Sequence, residues 1–245
     1  MELSRLSPPA SRAPLWVPMD ARFDRPAGTP VVLRRPPALE GRDVHYLDAL
    51  ERSLGWHRRG EHLALALEVG LPPTVTVETR GHDLDDYLFP VVDRLGPARF
   101  DAVFAAKAQA ARSSLCIRPA SRRLDGAPPQ VRARTTVSAT SIDWKQELHE
   151  ACRAEVPSPA PPGPVAVELR FTVSRRRNWM ALWKPALESL GPILGVTDPA
   201  TPYRADYARV TSLGLHRRWD DTVGHRVGVE VWWHPAAAPP GLGMR

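Results

Sequence analysis

The sequence predicts an α+β protein built as two small α/β lobes in tandem, each a mixed sheet packed with two helices. Three observations predict it. Apolar stretches of strand length alternate with amphipathic helical stretches in both halves. A break from Arg118 to Gln130, holding Pro119, Arg122-Arg123, Asp125-Gly126 and Pro128-Pro129, separates the halves. A helix with an internal proline also recurs. Asp83 through Pro97 aligns without a gap on Asn178 through Pro192, which places Pro90 on Pro185 and Leu95-Gly96-Pro97 on Leu190-Gly191-Pro192. A proline inside a helix costs about 3 kcal/mol, so its recurrence at one helical position points to a duplication.

The elements follow in order. Residues 1–30 are rich in Pro, Ala and Arg and read as an irregular arm. The first lobe, 31–120, opens with a short strand at Val31-Val32-Leu33. Asp43 caps a helix through Leu47, Leu50 and Leu54, stopped by Gly55. Leu63 to Val69 has leucines two apart, as in a strand, but its Ala, Leu and Glu favour helix. After a turn at Gly70 to Pro73, Thr74 to Thr79 alternates as a strand. Its Val75-Thr76-Val77-Glu78 resembles Val165-Ala166-Val167-Glu168. A helix on Leu84, Leu88, Val91, Val92 and Leu95 ends at Gly96-Pro97, and two strands follow near Phe100–Phe104 and Ser114–Ile117.

Residues 121–130 form the linker and 131–235 the second lobe. Val131 to Val137 reads as a strand, and Ser141 caps a helix built on Trp144, Leu148, Ala151 and Cys152. After a second proline-rich break, Val165 to Val173 is a strong strand and Trp179 to Leu190 a helix. Arg209–Arg218 and His225–Trp233, joined by Trp219 to Gly224, read as an antiparallel hairpin. A tail, 236–245, closes the chain.

Composition narrows the function classes. The chain has 33 basic and 27 acidic residues, and its pI of about 9.9 favours a polyanionic partner, nucleic acid before membrane. Two cysteines, Cys116 and Cys152, give no disulfide framework, which fits a reducing cytoplasm. The N-terminus lacks a signal-peptide core and no run reaches transmembrane length, so a soluble, cytoplasmic protein is expected. Gly-rich phosphate loops, Cys-x-x-Cys pairs and nucleophile elbows are missing from the sequence.

The most chemical stretch is Arg80-Gly81-His82-Asp83-Leu84-Asp85-Asp86. Three carboxylates at a helix start can share a hard divalent cation such as Mg²⁺, or they can simply cap the helix and favour its dipole. The sequence leaves both readings open.

The second half resembles the RusA family of Holliday-junction resolvases, whose signature is Asp-x-Asp-Asn-x-x-Lys, a helix, and an Asp-Asp pair opening a strand. Asn178 to Lys184 lies over that signature and Asp206-Tyr207 over the pair. Its two motif acids have become Asn178 and Met180, the motif Asn is Ala181, and the second Asp of the pair is Tyr207. Lys184 and Asp206 survive. The first half carries the complement: Asp83 and Asp85 fall on the motif acids and Asp86 on the Asn, while Phe89 replaces the lysine and Asp101 is the candidate third acid.

The resemblance implies a homodimer fold turned into a covalent pseudo-dimer, able to act as a monomer. It implies Mg²⁺, with Mn²⁺ as substitute, held by Asp83, Asp85, Asp86 and Asp101. It implies hydrolysis of branched or duplex DNA in recombination and repair, with Asp83, Asp85 and Lys184 catalytic. Arg175, Arg176, Arg177, Lys184, Arg217 and Arg218 would hold DNA phosphates around the vacated motif. The alternative is an inactive pseudo-resolvase that binds DNA or serves as an interaction protein.

Overall fold

The strand that leads into the acidic helix is Leu63–Leu71 (β2), not Thr74 to Thr79. Its residues are buried on both faces, so it reads as a continuous apolar run rather than an alternating one. The alternating stretch is a series of turns after Pro72 and Pro73. In the computed structural model, which describes residues 22–27, 31–33, 62–123, 126–136 and 141–236, the remaining strands are Val31–Leu33 (β1), Phe100–Gln109 (β3), Ser113–Pro119 (β4), Val131–Thr135 (β5), Val165–Val173 (β6), Val210–Trp219 (β7) and Val227–Pro235 (β8). The expected helix after Asp43 lies outside the described residues, as do most of the arm and the tail.

The helices are Leu84–Leu95 (α1), Ile142–Glu155 (α2), Trp183–Glu188 (α3) and Gly191–Leu194 (α4), with a 3₁₀ turn at Trp179–Leu182 before α3. Ser141 caps α2 as expected, accepting from the Asp143 N–H. α1 buries Leu84, Tyr87, Leu88, Val91, Val92 and Leu95. Each such side chain contributes about 1.5–3 kcal/mol, which outweighs the kink cost of Pro90. The fold class is α+β, as the alternation of elements predicts. None of the helices among the described residues is long and apolar enough to cross a membrane.

One eight-stranded mixed sheet carries everything, in the order β1-β4-β2-β3-β7-β6-β8-β5. Three expectations are corrected here. β7 and β8 are not a hairpin, because β6 lies between them, parallel to β7 and antiparallel to β8. The break near 121–130 does not separate two cores, since β3 pairs directly with β7. The helix after Asn178 is interrupted, and Gly191-Pro192 opens α4 instead of leading to the next strand.

The pairing registers repeat between the halves. Val31 opposes Leu115 as Val131 opposes Val231. Leu63 opposes Pro119 as Val165 opposes Pro235. Leu63 opposes Phe100 with a register shift before Ala64, and Val165 opposes Val210 with the same shift before Ala166. At the junction, the Ala102–His216 pair mirrors Ala106–Ser212 about the central pair Phe104–Gly214. These registers define an approximate two-fold axis through Phe104–Gly214. A Cβ at Gly214 would meet Glu168 Cγ at 3.0 Å and Phe104 Cδ1 at 3.3 Å, so a side chain there would require these neighbours to shift by a few tenths of an ångström.

Side chains alternate across the sheet. Leu65, Leu67, Val103, Leu169 and Leu215 face the helices, while Ala64, Ala66, Ala102 and Phe104 face a strap formed around Phe23. The strap bridges to Arg122, and the Phe23 N–H donates to His216 Nδ1 at 3.2 Å. Buried His216 is therefore neutral, with its Nε2–H donating to Glu168 at 3.2 Å. Against the burial that would raise it, the hydrogen bonds from His216 and Arg123 and the Arg123 charge hold Glu168 below the usual carboxylate range.

Candidate functional site: one composite acidic cleft

α1 runs back along the sheet from the end of β3 that carries Lys107, so its acidic start and the second half's turn Tyr207–Arg209 meet at one end. Asp83 occupies the N-cap position in extended conformation, yet its side chain makes no capping hydrogen bond. The cap reading thus loses its usual energetic basis. Burial raises the pKa of Asp83, opposed mainly by the charge of Lys107. Asp85 is 4% exposed, and its Oδ1 has no hydrogen-bond partner. Burial, and then the Asp86 charge, push Asp85 up to about 7. Asp86 accepts from Lys184 Nζ at 3.2 Å, a contact between the halves. His82 Nδ1 and Tyr87 Oη share a hydrogen bond of 2.7 Å, so that histidine supports the helix start.

The facing wall belongs to the second half. Lys107 donates to the Ala208 carbonyl at 3.0 Å, clasping the turn that carries Asp206 and Tyr207. Burial draws Lys107 down to about 8, with the Asp83 charge resisting. Burial, followed by the charges of Asp83 and Asp85, raises Tyr207, so its hydroxyl stays protonated across the ordinary pH range. Asp83 and Asp206 line one cavity of about 250 Å³ together with Arg80, Thr197, Arg204, Ala205, Tyr207 and Ala208.

The register places the same construction at the opposite end. By the β3–β7 correspondence, Lys107 maps on Arg217, and Gly96-Pro97-Ala98-Arg99 maps on Asp206-Tyr207-Ala208-Arg209. Arg217 donates to the Ala98 carbonyl at 3.1 Å, as Lys107 does to Ala208, and also to Pro97 at 2.9 Å. Here the motif positions themselves carry no carboxylate. Asn178 uses its side chain to cap Met180 at 3.1 Å, and Met180 is buried. The Trp179 indole donates to Pro97 at 3.1 Å, and the Arg217 guanidinium lies 4.1 Å over Trp219. A methionine, a tryptophan and a structural arginine fill this end.

The sequence-predicted residues sort by end rather than by half. Asp83, Asp85, Asp86, Lys184 and Asp206 all belong to the cleft, and Asn178, Met180, Ala181, Gly96 and Pro97 to the filled end. Phe89, the helical counterpart of Lys184, is 45% exposed. Asp101 is not with the other acids. It lies six residues before Lys107 on β3, about 20 Å away at strand rise, and is paired with Arg217 at 2.8 Å and with His62.

Arg217 is correspondingly 3% exposed and cannot reach DNA. Arg175 pairs with Asp221 at 3.4 Å, while Arg176 and Arg218 are exposed and Arg177 half-buried at the filled end. Reading the sequence by halves hides Lys107, Arg80 and Arg204, and assigns Asp206 to the wrong motif. The shared Ala98-Arg99-Phe100 and Ala208-Arg209-Val210 was the signal for the correct register.

Whether the cleft suits a metal can be asked of its donors. Asp83, Asp85 and Asp206 offer oxygen only, which Mg²⁺ prefers. The buried, unpartnered Asp85 Oδ1 with its raised pKa is what an absent cation would leave. As the side chains stand, no group of three or more His, Cys, Asp or Glu among the described residues is drawn close enough to hold an ion. Comparisons with protein-family models, curated proteins and solved structures find no match for this chain.

Proposed function

We propose that this chain is a Mg²⁺-dependent endonuclease of the RusA kind that hydrolyses phosphodiesters in branched DNA, as a single-chain pseudo-dimer with one centre. What carries the reading is the sorting of motif residues: the retained acids and the lysine gather at one end, where Tyr207 is a loss, and Asn178, Met180 and Ala181 gather at the other. The repeated registers support descent from a tandem duplication.

Asp83, Asp85 and Asp206 would hold the ion, which when bound activates a water and neutralises phosphate charge. Mn²⁺ would substitute. The chain's own groups do the rest. The Lys184 ammonium, delivered from the other half, supplies charge that Phe89 cannot. The Tyr207 hydroxyl, kept protonated, can donate a hydrogen bond to a phosphate oxygen. Lys107 fixes the facing turn. Arg176, Arg177 and Arg218 at the filled end would grip a DNA arm without cutting it. Two buried, unpaired cysteines fit a cytoplasmic setting, and branched DNA places the activity in recombination or repair.

One centre makes one incision. A supercoiled plasmid extruding a cruciform should be converted to nicked circles in Mg²⁺, with linear product appearing only as a second, independent event. Asp83→Asn/Asp85→Asn should abolish both. Junction cleavage that survives this double variant would remove the acids from the centre. A second reading, a DNA-binding pseudo-resolvase, draws on Tyr207 standing where the family's pair has an acid. Salt-sensitive junction binding with no Mg²⁺- or Mn²⁺-dependent cutting would favour it.

A further inference from the structure

The cleft holds two cations that neither the motif nor the fold uses. Arg80 sits three residues before Asp83 in the first half, and Arg204 two residues before Asp206 in the second. Both line the 250 Å³ cavity, both are exposed, and neither guanidinium has a hydrogen bond or ion pair among the described residues. Their counterparts differ. Arg175, the equivalent of Arg80 in the repeated helix, is neutralised by Asp221.

Arg204 has no counterpart at all. It belongs to the segment 191–205, inserted between the helix and the turn only in the second half. That segment is fixed by the Val196–Ala205 bridge and by the hydrogen bonds Ala205 N–H to Glu188 O, 3.0 Å, and Asp206 N–H to Gly195 O, 2.9 Å. Arg204 is thus presented on a tied loop, so little ordering entropy is lost when it meets a ligand.

We propose that Arg80 and Arg204 form a phosphate clamp, one guanidinium from each half, that seats a backbone phosphate of nucleic acid in the cavity beside Asp83 and Asp206. Arginine suits the task because its planar fork meets phosphate oxygens through paired N–H donors. The inserted segment gives the cleft this clamp and leaves the filled end without one. The inference deepens the endonuclease reading of the same site and rests on its nucleic-acid part.

The test is fluorescence anisotropy of a fluorescein-labelled four-way DNA junction with the full chain in EDTA. Both arginines are exposed, so Arg80→Ala/Arg204→Ala should melt like wild type. It should bind about tenfold more weakly, with the slope of log Kd against log salt flattened by about 1–2. Arg153→Ala/Arg226→Ala matches the charge change at other exposed sites and should stay within about twofold of wild type.

Equal loss in both double variants, wild-type affinity in the clamp variant, or no junction binding by wild type would overturn the clamp. Displacement of the junction by millimolar inorganic phosphate, beyond that caused by sulfate of equal ionic strength, would assign the cavity to a small phosphate ligand instead. The endonuclease reading fails separately. Arginine-dependent binding without any Mg²⁺-dependent cutting leaves the clamp standing and removes the nuclease.

Discussion

The two ends of the helical layer share one backbone plan and have opposite chemistry. At one end Lys107 clasps Ala208 beside Asp83, Asp85, Asp86 and Asp206. At the other Arg217 clasps Ala98 beside Asn178, Met180 and Trp179. The cross-half clasp survives at both ends, so it serves the junction of the halves. The motif carboxylates stand at one end only, so the shared backbone plan does not require them. Buried Asp85 costs stability where a methionine in the equivalent motif would not. The proposed centre accounts for a buried, unpaired carboxylate at one end where the equivalent position at the other is a methionine.

That contrast can be broken in several ways, the largest effect first. Asp83→Asn/Asp85→Asn, or Asp206→Asn alone, should lower junction cleavage by at least about 1000-fold in steady-state assays, while Asn178→Asp should restore nothing at the filled end. Lys184→Ala should lower the cleavage rate by about 10–100-fold, and Phe89→Lys should leave it unchanged, since a lysine there would face Ala181. Rescue of Lys184→Ala by Phe89→Lys would contradict the assignment of Lys184 to the cleft.

Stability separates the ends next. Arg217→Met takes the buried guanidinium from Asp101, leaving it the exposed His62, and should cost about 3–5 kcal/mol in urea unfolding. Glu168→Gln should cost roughly 2–3 kcal/mol at pH 7. With Glu168 held below its ordinary 4.5, its stabilisation is complete above pH 4.5. The gap to the variant should therefore shrink as pH falls from about 5 towards 2.

Asp85 has the opposite sign and the smallest effect. Its pKa is raised from 3.8 to about 7, so metal-free stability should fall as pH rises through that window. Asp85→Asn should melt above wild type at pH 8 in EDTA, by a few degrees. Mn²⁺ should close that difference from the wild-type side only.

The fold was legible in the sequence where burial was one-sided or capping explicit. Ser141 and the amphipathic face of Trp144, Leu148 and Cys152 gave α2, and Val165–Val173 emerged with its observed bounds. β2 was obscured because a central strand buried on both faces loses its alternation, and Thr74–Thr79 imitated the missing signal. The pairing of β6 between β7 and β8 was hidden because a short connection between strands suggests a hairpin.

The site was half legible. Asp83 and Asp85 stood out by spacing and Lys184 through the family resemblance, but each half looked like a damaged copy. Their complementarity is a property of the antiparallel β3–β7 pairing, which brings the start of one motif to the turn of the other. No local pattern encodes that. Asp101 misled for the same reason, being correctly staged in its own half and at the wrong end of the sheet.

The most direct test of one composite centre is to count and locate its metal. Crystals of the full chain soaked in Mn²⁺ with a non-hydrolysable phosphorothioate junction should show one anomalous peak per chain, ligated by Asp83, Asp85 and Asp206 with Lys184 close by. A peak at Asp101, a second peak near Asn178 and Arg217, or no peak at millimolar Mn²⁺ would contradict it.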